Sequence, residues 1–225
     1  MDQLKKEAII ILDFGSQYTQ LIARRIREFN VYSEVVSPEI DLKSIKEKNP
    51  RAIILSGGPS SVFSNDAPDF DIDILNTDIP ILGICYGLHL LVHHNGGAVN
   101  STGKGEYGFV EVDFIKGTKI TEHMSHRSNV WMSHMDQVNK VPDGWKVIAT
   151  SSNGIIAGLI NQKQNKIATQ FHPEVSHTEE GGQLLKNFIF KIAKCEKNWT
   201  PSNFIQEQVK KIKEKSGNEN ILVGV

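Results

Sequence analysis

The sequence predicts an α/β fold: a doubly wound, mainly parallel sheet with helices on both faces, plus a smaller antiparallel sheet. Three observations predict it. Short apolar, β-branched runs alternate with amphipathic segments through the first 95 residues. The runs end in small-residue turns, as at Asp13-Phe14-Gly15-Ser16, Ser56-Gly57-Gly58-Pro59-Ser60 and Cys85-Tyr86-Gly87. Beyond them the chain changes to closely spaced strands, punctuated by Gly144, Asn153-Gly154 and Asn165.

Taken in order, Ala8–Leu12 (AIIIL) reads as a central parallel strand buried on both faces. A helix to about Phe29 follows, with Tyr18, Leu21, Ile22, Arg25 and Phe29 along one face. Tyr32–Val36 is a second strand, and Leu42–Lys48 a short helix stopped by Asn49-Pro50. Ala52–Leu55 is a third buried strand, Phe70–Leu75 is helical, and Pro80–Ile84 is the fourth strand. That strand runs into a sharp turn at Cys85 and then a helix carrying Leu88, Leu91 and Val92. In Tyr107–Phe114, Val110, Val112 and Phe114 alternate with Glu111 and Asp113, as on a half-exposed antiparallel strand. Val130–Ser133, Lys146–Thr150, Ile155–Ile160 and Lys166–Gln170 are further strands, and Glu180–Cys195 is a covering helix. This first domain is expected to span residues 1–195.

After Cys195 the composition shifts. Glu196–Asn203 reads as a linker, and Thr200 or Ser202 caps a helix with Ile205, Val209 and Ile212 in its apolar stripe. Ile221–Val225 reads as a strand that stops without a turn. Residues 196–225 are therefore expected to be a linker and the start of a second domain in a longer protein.

Composition narrows the function classes. With 39% hydrophobic and 23% charged residues in 225, the chain can bury a sizeable core and is not a disordered sequence. A net charge of −1 gives no electrostatic case for nucleic acid or an anionic membrane as partner. Two widely separated cysteines are no disulfide framework and fit a reducing cytosol. The five apolar residues Ala8–Leu12 are too few for a signal segment or a membrane span.

The strand–turn–helix around Cys85 has the logic of a nucleophile elbow. The turn holds the side chain above the sheet edge, and the helix N-terminus favours a thiolate. Its plainer reading is a buried cysteine closing a core strand. A cysteine nucleophile needs a base and a group that orients the base. His172-Pro173-Glu174, in a tight turn after an apolar strand, can supply both, although alone it reads better as a surface turn. Oxyanion donors are expected from the Gly57-Gly58 amides and from the Tyr86 amide, which follows the nucleophile. A phosphate-binding loop is the rival reading of Ser56–Ser61, and no Gly-Lys-Ser/Thr follows it. His93-His94, His123 and His126 form no convincing metal site, so no metal is expected.

Gly83-Ile84-Cys85-Tyr86-Gly87, Phe171-His172-Pro173-Glu174-Val175 and Ser56-Gly57-Gly58-Pro59 together resemble the class I (triad) glutamine amidotransferases. Leu12–Tyr18 (LDFGSQY), Val130–His134 (VWMSH) and His172–Thr178 (HPEVSHT) are similar to the GMP synthetase branch of that family. The resemblance implies the family's α/β fold and hydrolysis of L-glutamine through a Cys85 γ-glutamyl thioester. In it Cys85 is nucleophile, His172 acid and base, and Glu174 the orienting residue, and the Gly58 and Tyr86 amides hold the oxyanion. It implies Gly57, His89, Ser133, His134, Met135 and Asp136 as glutamine-binding positions. It also implies a synthetase (ATP-pyrophosphatase) domain on the same longer chain, which takes the ammonia to convert XMP to GMP. No cofactor is implied for the glutaminase domain; ATP and Mg2+ belong to the synthetase domain. Two positions depart from the family pattern: His89 stands where glutamine is usual, and Met135 where Ser-His-Gly-Asp has glycine. Both departures point to altered glutamine binding with the triad intact. The competing readings are a stand-alone γ-glutamyl hydrolase and a catalytically silent subunit that only docks on a partner.

Overall fold

A computed structural model describes residues 8–64, 67–197, 199–217, 219 and 222. Nine strands form one mixed sheet in the order β2-β1-β3-β4-β9-β8-β7-β5-β6. In chain order they are β1 (Ala8–Leu12), β2 (Ser33–Val36), β3 (Pro50–Leu55), β4 (Ile81–Ile84), β5 (Ala98–Phe114), β6 (Arg127–Lys140), β7 (Lys146–Ser151), β8 (Ile156–Asn161) and β9 (Lys166–Thr169). The helices are α1 (Thr19–Glu28), α2 (Leu42–Glu47), α3 (Tyr86–His94), α4 (Gly181–Asn187) and α5 (Pro201–Ser216).

The strands β2, β1, β3, β4 and β9 are parallel, and β8, β7, β5 and β6 continue the sheet antiparallel. The fold class is the expected one, with one correction. The smaller antiparallel sheet is not separate: β9 pairs β4 in parallel and β8 antiparallel, so it joins the two halves. All four residues of β9 are buried, and both of its edges are paired with neighbouring strands.

The parallel half is buried on both faces, and alternation divides its side chains between two cores. Ile9, Ile11, Ile54 and Leu82 pack with Ile22 and Ile26 of α1 and Leu184 and Leu185 of α4. Leu12, Ile53, Leu55 and Ile81 pack with Ile45 of α2 and Leu88, Leu91 and Val92 of α3. Helices on both faces follow directly. α2 starts at Asp41, whose side chain accepts from the Ser44 amide at 2.6 Å, and the chain leaves it through left-handed Asn49.

Several boundaries differ from expectation. β5 and β6 are longer than the sequence predicts, because polar residues interrupt their apolar pattern; His134 and Gln137 nevertheless point inward and are buried. Residues 72–76 form a 3-10 turn led by Asp71, which accepts from the Asp73 amide at 3.0 Å. The expected helix 180–195 is α4 followed by a wider π turn over Phe188–Ile192, and Asn187 there donates to the Ile120 and Glu122 carbonyls. Thr200 caps α5, accepting from the Asn203 amide at 3.1 Å; Ile205, Val209 and Ile212 on it are exposed. Trp199 is held back on the domain, its amide donating to the Asn30 carbonyl at 3.0 Å. The strand expected over 221–225 falls at positions 221 and 223–225 outside the described residues. Among the described residues, no helix is long and apolar enough to cross a membrane.

Candidate active site

Three motifs far apart in sequence meet because β3, β4 and β9 are adjacent and parallel. Their C-terminal ends lie side by side, and ligands of open α/β sheets sit at that edge. β3 ends at Ser56-Gly57-Gly58, β4 at Cys85, and β9 just before Gln170–Glu174.

Cys85 is the turn between β4 and α3, with φ +52° and ψ −101°. A non-glycine residue there is strained by about 1–3 kcal/mol, so the surroundings must impose it. Its amide donates to the Thr169 carbonyl at 2.7 Å, which clamps the turn to β9. The flanking glycines let the layers close. A Cβ on Gly83 would stand 2.6 Å from the Gly87 carbonyl carbon, and one on Gly87 2.7 Å from Leu55 Cβ. The thiol is buried at the N-terminal end of α3 and makes no side-chain hydrogen bond to the helix amides.

His172 Nδ1 lies 2.8 Å from Glu174 Oε1, and both side chains are buried. Burial works to lower the imidazolium pKa of His172. Its interactions with Cys85 and with the Glu174 carboxylate outweigh that and push it up to about 10. The geometry thus favours an imidazolium between a sulfur and a carboxylate. The turn is fixed from three sides. The His172 amide donates to the Trp131 carbonyl at 3.1 Å, Thr178 Oγ1 donates to the His172 carbonyl at 2.7 Å, and Arg25 Nε of α1 donates to the Glu174 carbonyl at 2.9 Å. The Tyr18 ring stands edge-on to the imidazole, 5.0 Å between centroids.

A cavity of about 340 Å³ opens over Cys85. Gly58, Tyr86, His89, Ser133, His134, Met135 and Asp136 all line it, so seven of the sequence-predicted positions besides Cys85 converge. Gly58 is pressed against the β1 turn; a Cβ there would meet the Phe14 carbonyl oxygen at 2.6 Å. Gly57 is placed differently, behind the base: a Cβ on it would lie 3.1 Å from His172 Cε1. The Ser133 carbonyl faces Cys85 Sγ at 3.7 Å. Asp136 Oδ2 accepts from Ser61 Oγ at 2.6 Å, so the loop after β3 positions it. Met135 is half-exposed at the rim. It lies opposite a break in register between Ser101 and Glu106 on β5, with its Sδ 2.8 Å from where a Cβ on Gly105 would be. His89 is buried, with Nε2 2.9 Å from Gln170 Oε1.

Three further residues were not expected from the sequence. Glu106 is buried beside the cavity, its Oε2 3.1 Å from His134 Nε2, while its Oε1 accepts from Ser151 Oγ and Asn153 Nδ2, each at 2.8 Å. Nothing local in the sequence marks it. Gln170 is fully buried, with Nε2 3.8 Å from Cys85 Sγ. Its signal was a polar residue closing an apolar strand next to Phe171-His172. Ser61 sat within the serine-rich turn. Among the described residues, no cluster of three or more His, Cys, Asp or Glu is arranged to hold a metal ion. The arrangement can present a thiolate, a proton donor and backbone amides to one small polar substrate.

Comparison with known proteins agrees with this geometry. The family model for "Glutamine amidotransferase class-I" matches residues 10–192. The glutamine-hydrolyzing GMP synthase of Brachyspira hyodysenteriae is 46% identical over 219 residues, which is 97% of this chain and 43% of that protein. That of Fusobacterium nucleatum is 46% identical over 223 residues, covering 99% and 43%. The chain therefore spans less than half the length of these curated relatives. Among solved structures, a candidate GMP synthase subunit from Thermoplasma acidophilum superposes with a TM-score of 0.73 at 27% identity, covering 91% of this chain and 98% of that one. A glutamine amidotransferase from Thermotoga maritima shares the fold with a TM-score of 0.60 at 19% identity, covering 95% and 86%. The chain belongs to the class-I glutamine amidotransferase family.

Proposed function

We propose that this chain is the glutaminase part of a glutamine-hydrolysing GMP synthase. The observation that carries the reading is the buried Cys85–His172–Glu174 line at the edge of a cavity sized for one amino acid. Cys85 Sγ attacks the side-chain carbonyl carbon of L-glutamine. The carbonyl oxygen gains negative charge, and the Gly58 and Tyr86 amides at the cavity wall are the donors for it. The His172 imidazolium gives its proton to the amide nitrogen, and the C–N bond breaks as ammonia leaves. A γ-glutamyl thioester remains on Cys85. Neutral His172 then takes a proton from water, whose oxygen attacks the thioester, and glutamate leaves as the thiolate re-forms. Glu174 keeps the imidazole turned toward the sulfur and favours its charged form throughout. Ser133, His134, Met135 and Asp136 supply the far wall that holds the substrate.

The partner in this reading is a synthetase portion of the same longer chain, because relatives of that name extend well beyond the matched region. It would bind ATP, Mg2+ and XMP and receive the ammonia. The cavity opens at a rim that carries exposed Tyr107 and half-exposed Met135, on the face the partner must approach. Cytoplasmic placement follows from that reading.

The test is acid quenching during turnover, followed by mass spectrometry of the Cys85 peptide. A glutamyl adduct with L-glutamine, absent with L-asparagine, is expected. A glutamine-dependent adduct elsewhere, or none while glutamate accumulates, contradicts the mechanism.

A further inference from the structure

We infer that His89 is a positioning residue for the nucleophile: its Nε2–H holds the Gln170 carbonyl oxygen, and so turns the Gln170 amide N–H toward Cys85 Sγ. The consequence for catalysis rests on the reading of Cys85 as the nucleophile; the chain of contacts does not.

His89 and Gln170 are 4% and 0% exposed, so their contact lies away from bulk water. Gln170 Oε1 is 2.9 Å from His89 Nε2, and Gln170 Nε2 is 3.8 Å from Cys85 Sγ. A primary amide has a donor end and an acceptor end, and rotating it exchanges them. With the N–H toward sulfur, Gln170 favours the thiolate; with the oxygen toward sulfur, it opposes the thiolate. The Ser133 carbonyl, 3.7 Å from the sulfur, already suits a protonated thiol. The His172 imidazolium faces the same sulfur and favours the thiolate, and the Gln170 N–H adds to it.

The groups around His89 show why its N–H goes to Gln170. From β6 the ring faces the Asp136 backbone carbonyl, the Asp136 carboxylate and His134; from the end of β9 it faces Gln170. Burial keeps the imidazolium of His89 below its ordinary range, so the neutral ring has a single N–H. The Asp136 carbonyl is already paired with His134 Nδ1 at 3.0 Å, and His134 is itself held by Glu106. Gln170 Oε1 can only accept and stands 2.9 Å from Nε2, so Nε2 is the nitrogen that carries the proton. The histidine thus acts on the sulfur through Gln170, while its ring edge still lines the cavity.

The experiment is the pH profile of Cys85 alkylation by iodoacetamide in the whole chain, read on the Cys85 peptide. In His89→Phe the midpoint should rise by about one pH unit, the size expected for one lost hydrogen bond to a charged group. Gln170→Met should shift it equally, and the double variant no further. His89→Gln can still donate to Gln170 and should keep the wild-type midpoint. An unmoved midpoint in Gln170→Met overturns the inference, whether or not His89→Phe folds. Equal shifts in His89→Gln and His89→Phe overturn it too. The profile needs no glutamine: shifted midpoints without glutamate release would sink the substrate reading and leave the relay standing.

Discussion

Among the described residues, two histidine–glutamate pairs are buried, and they are built to opposite ends. His134–Glu106 lies in the antiparallel half. Both Glu106 oxygens are occupied, by His134 on one side and by Ser151 and Asn153 on the other. His172–Glu174 lies at the C-terminal edge of the parallel half. There Glu174 Oε1 meets His172, while Oε2 is buried with no hydrogen-bond partner among the described residues. A saturated carboxylate is a fastener. An under-satisfied one keeps its charge available to a neighbour, here an imidazolium whose pKa Cys85 and Glu174 together push up to about 10. Burial and residue type are the same; the number of donors separates structure from chemistry.

The sharpest way to break this comparison is to neutralise each carboxylate in turn. Glu174→Gln should lower the glutaminase kcat by about 10²–10⁴-fold, the range for disabling an acid–base residue, with any Tm loss confined to the pH range where His172 is charged. Glu106→Gln should do the reverse. An amide N–H would face the Ser151 or Asn153 donors, a loss of about 1–3 kcal/mol in urea unfolding, while kcat stays within tenfold. Equal kinetic losses would erase the distinction.

A second separation is by pH. The folded pKa of His172 lies above its ordinary 6.5, so the folded state keeps a proton the unfolded state has released. Its contribution to stability is fully present below pH 6.5 and lost as pH rises through about 10. His89 has the opposite sign, because its folded pKa lies below 6.5. Its contribution is present above 6.5 and lost as pH falls through the folded value. Urea unfolding across pH should therefore show His172→Gln approaching wild type on the alkaline side, and His89→Gln flattening the acid side. Parallel curves at all pH values would contradict both assignments. The smallest expected effect is Gly57→Ala, whose Cβ would press on His172 Cε1 from 3.1 Å. A few-fold loss in kcat without a change in fold is expected, because reacting groups tolerate little displacement.

The same contrast explains what could be read from sequence. The parallel half was legible because each buried strand is one uninterrupted apolar run, as in Ala8–Leu12 and Ile81–Ile84. Cys85, His172 and Glu174 were legible because each closes such a run or lies within two residues of one that does. Glu106 was not, since its partner His134 is 28 positions away on another strand and only pairing of β5 with β6 brings them together. The continuity of the sheet was hidden for a related reason. β9 looks like any buried strand, and nothing local says that its two neighbours run in opposite directions. His89 stood out as a departure at a substrate position. The structure shows that its Nε2 is already engaged by Gln170, so the ring serves the sulfur's neighbour as well as the pocket.

The most direct test of the account is glutamate release from L-glutamine by this chain, measured beside Cys85→Ala at matched concentration. Release by the wild type that vanishes in Cys85→Ala is the predicted result. Release that survives the loss of the Cys85 sulfur would contradict the account at its centre.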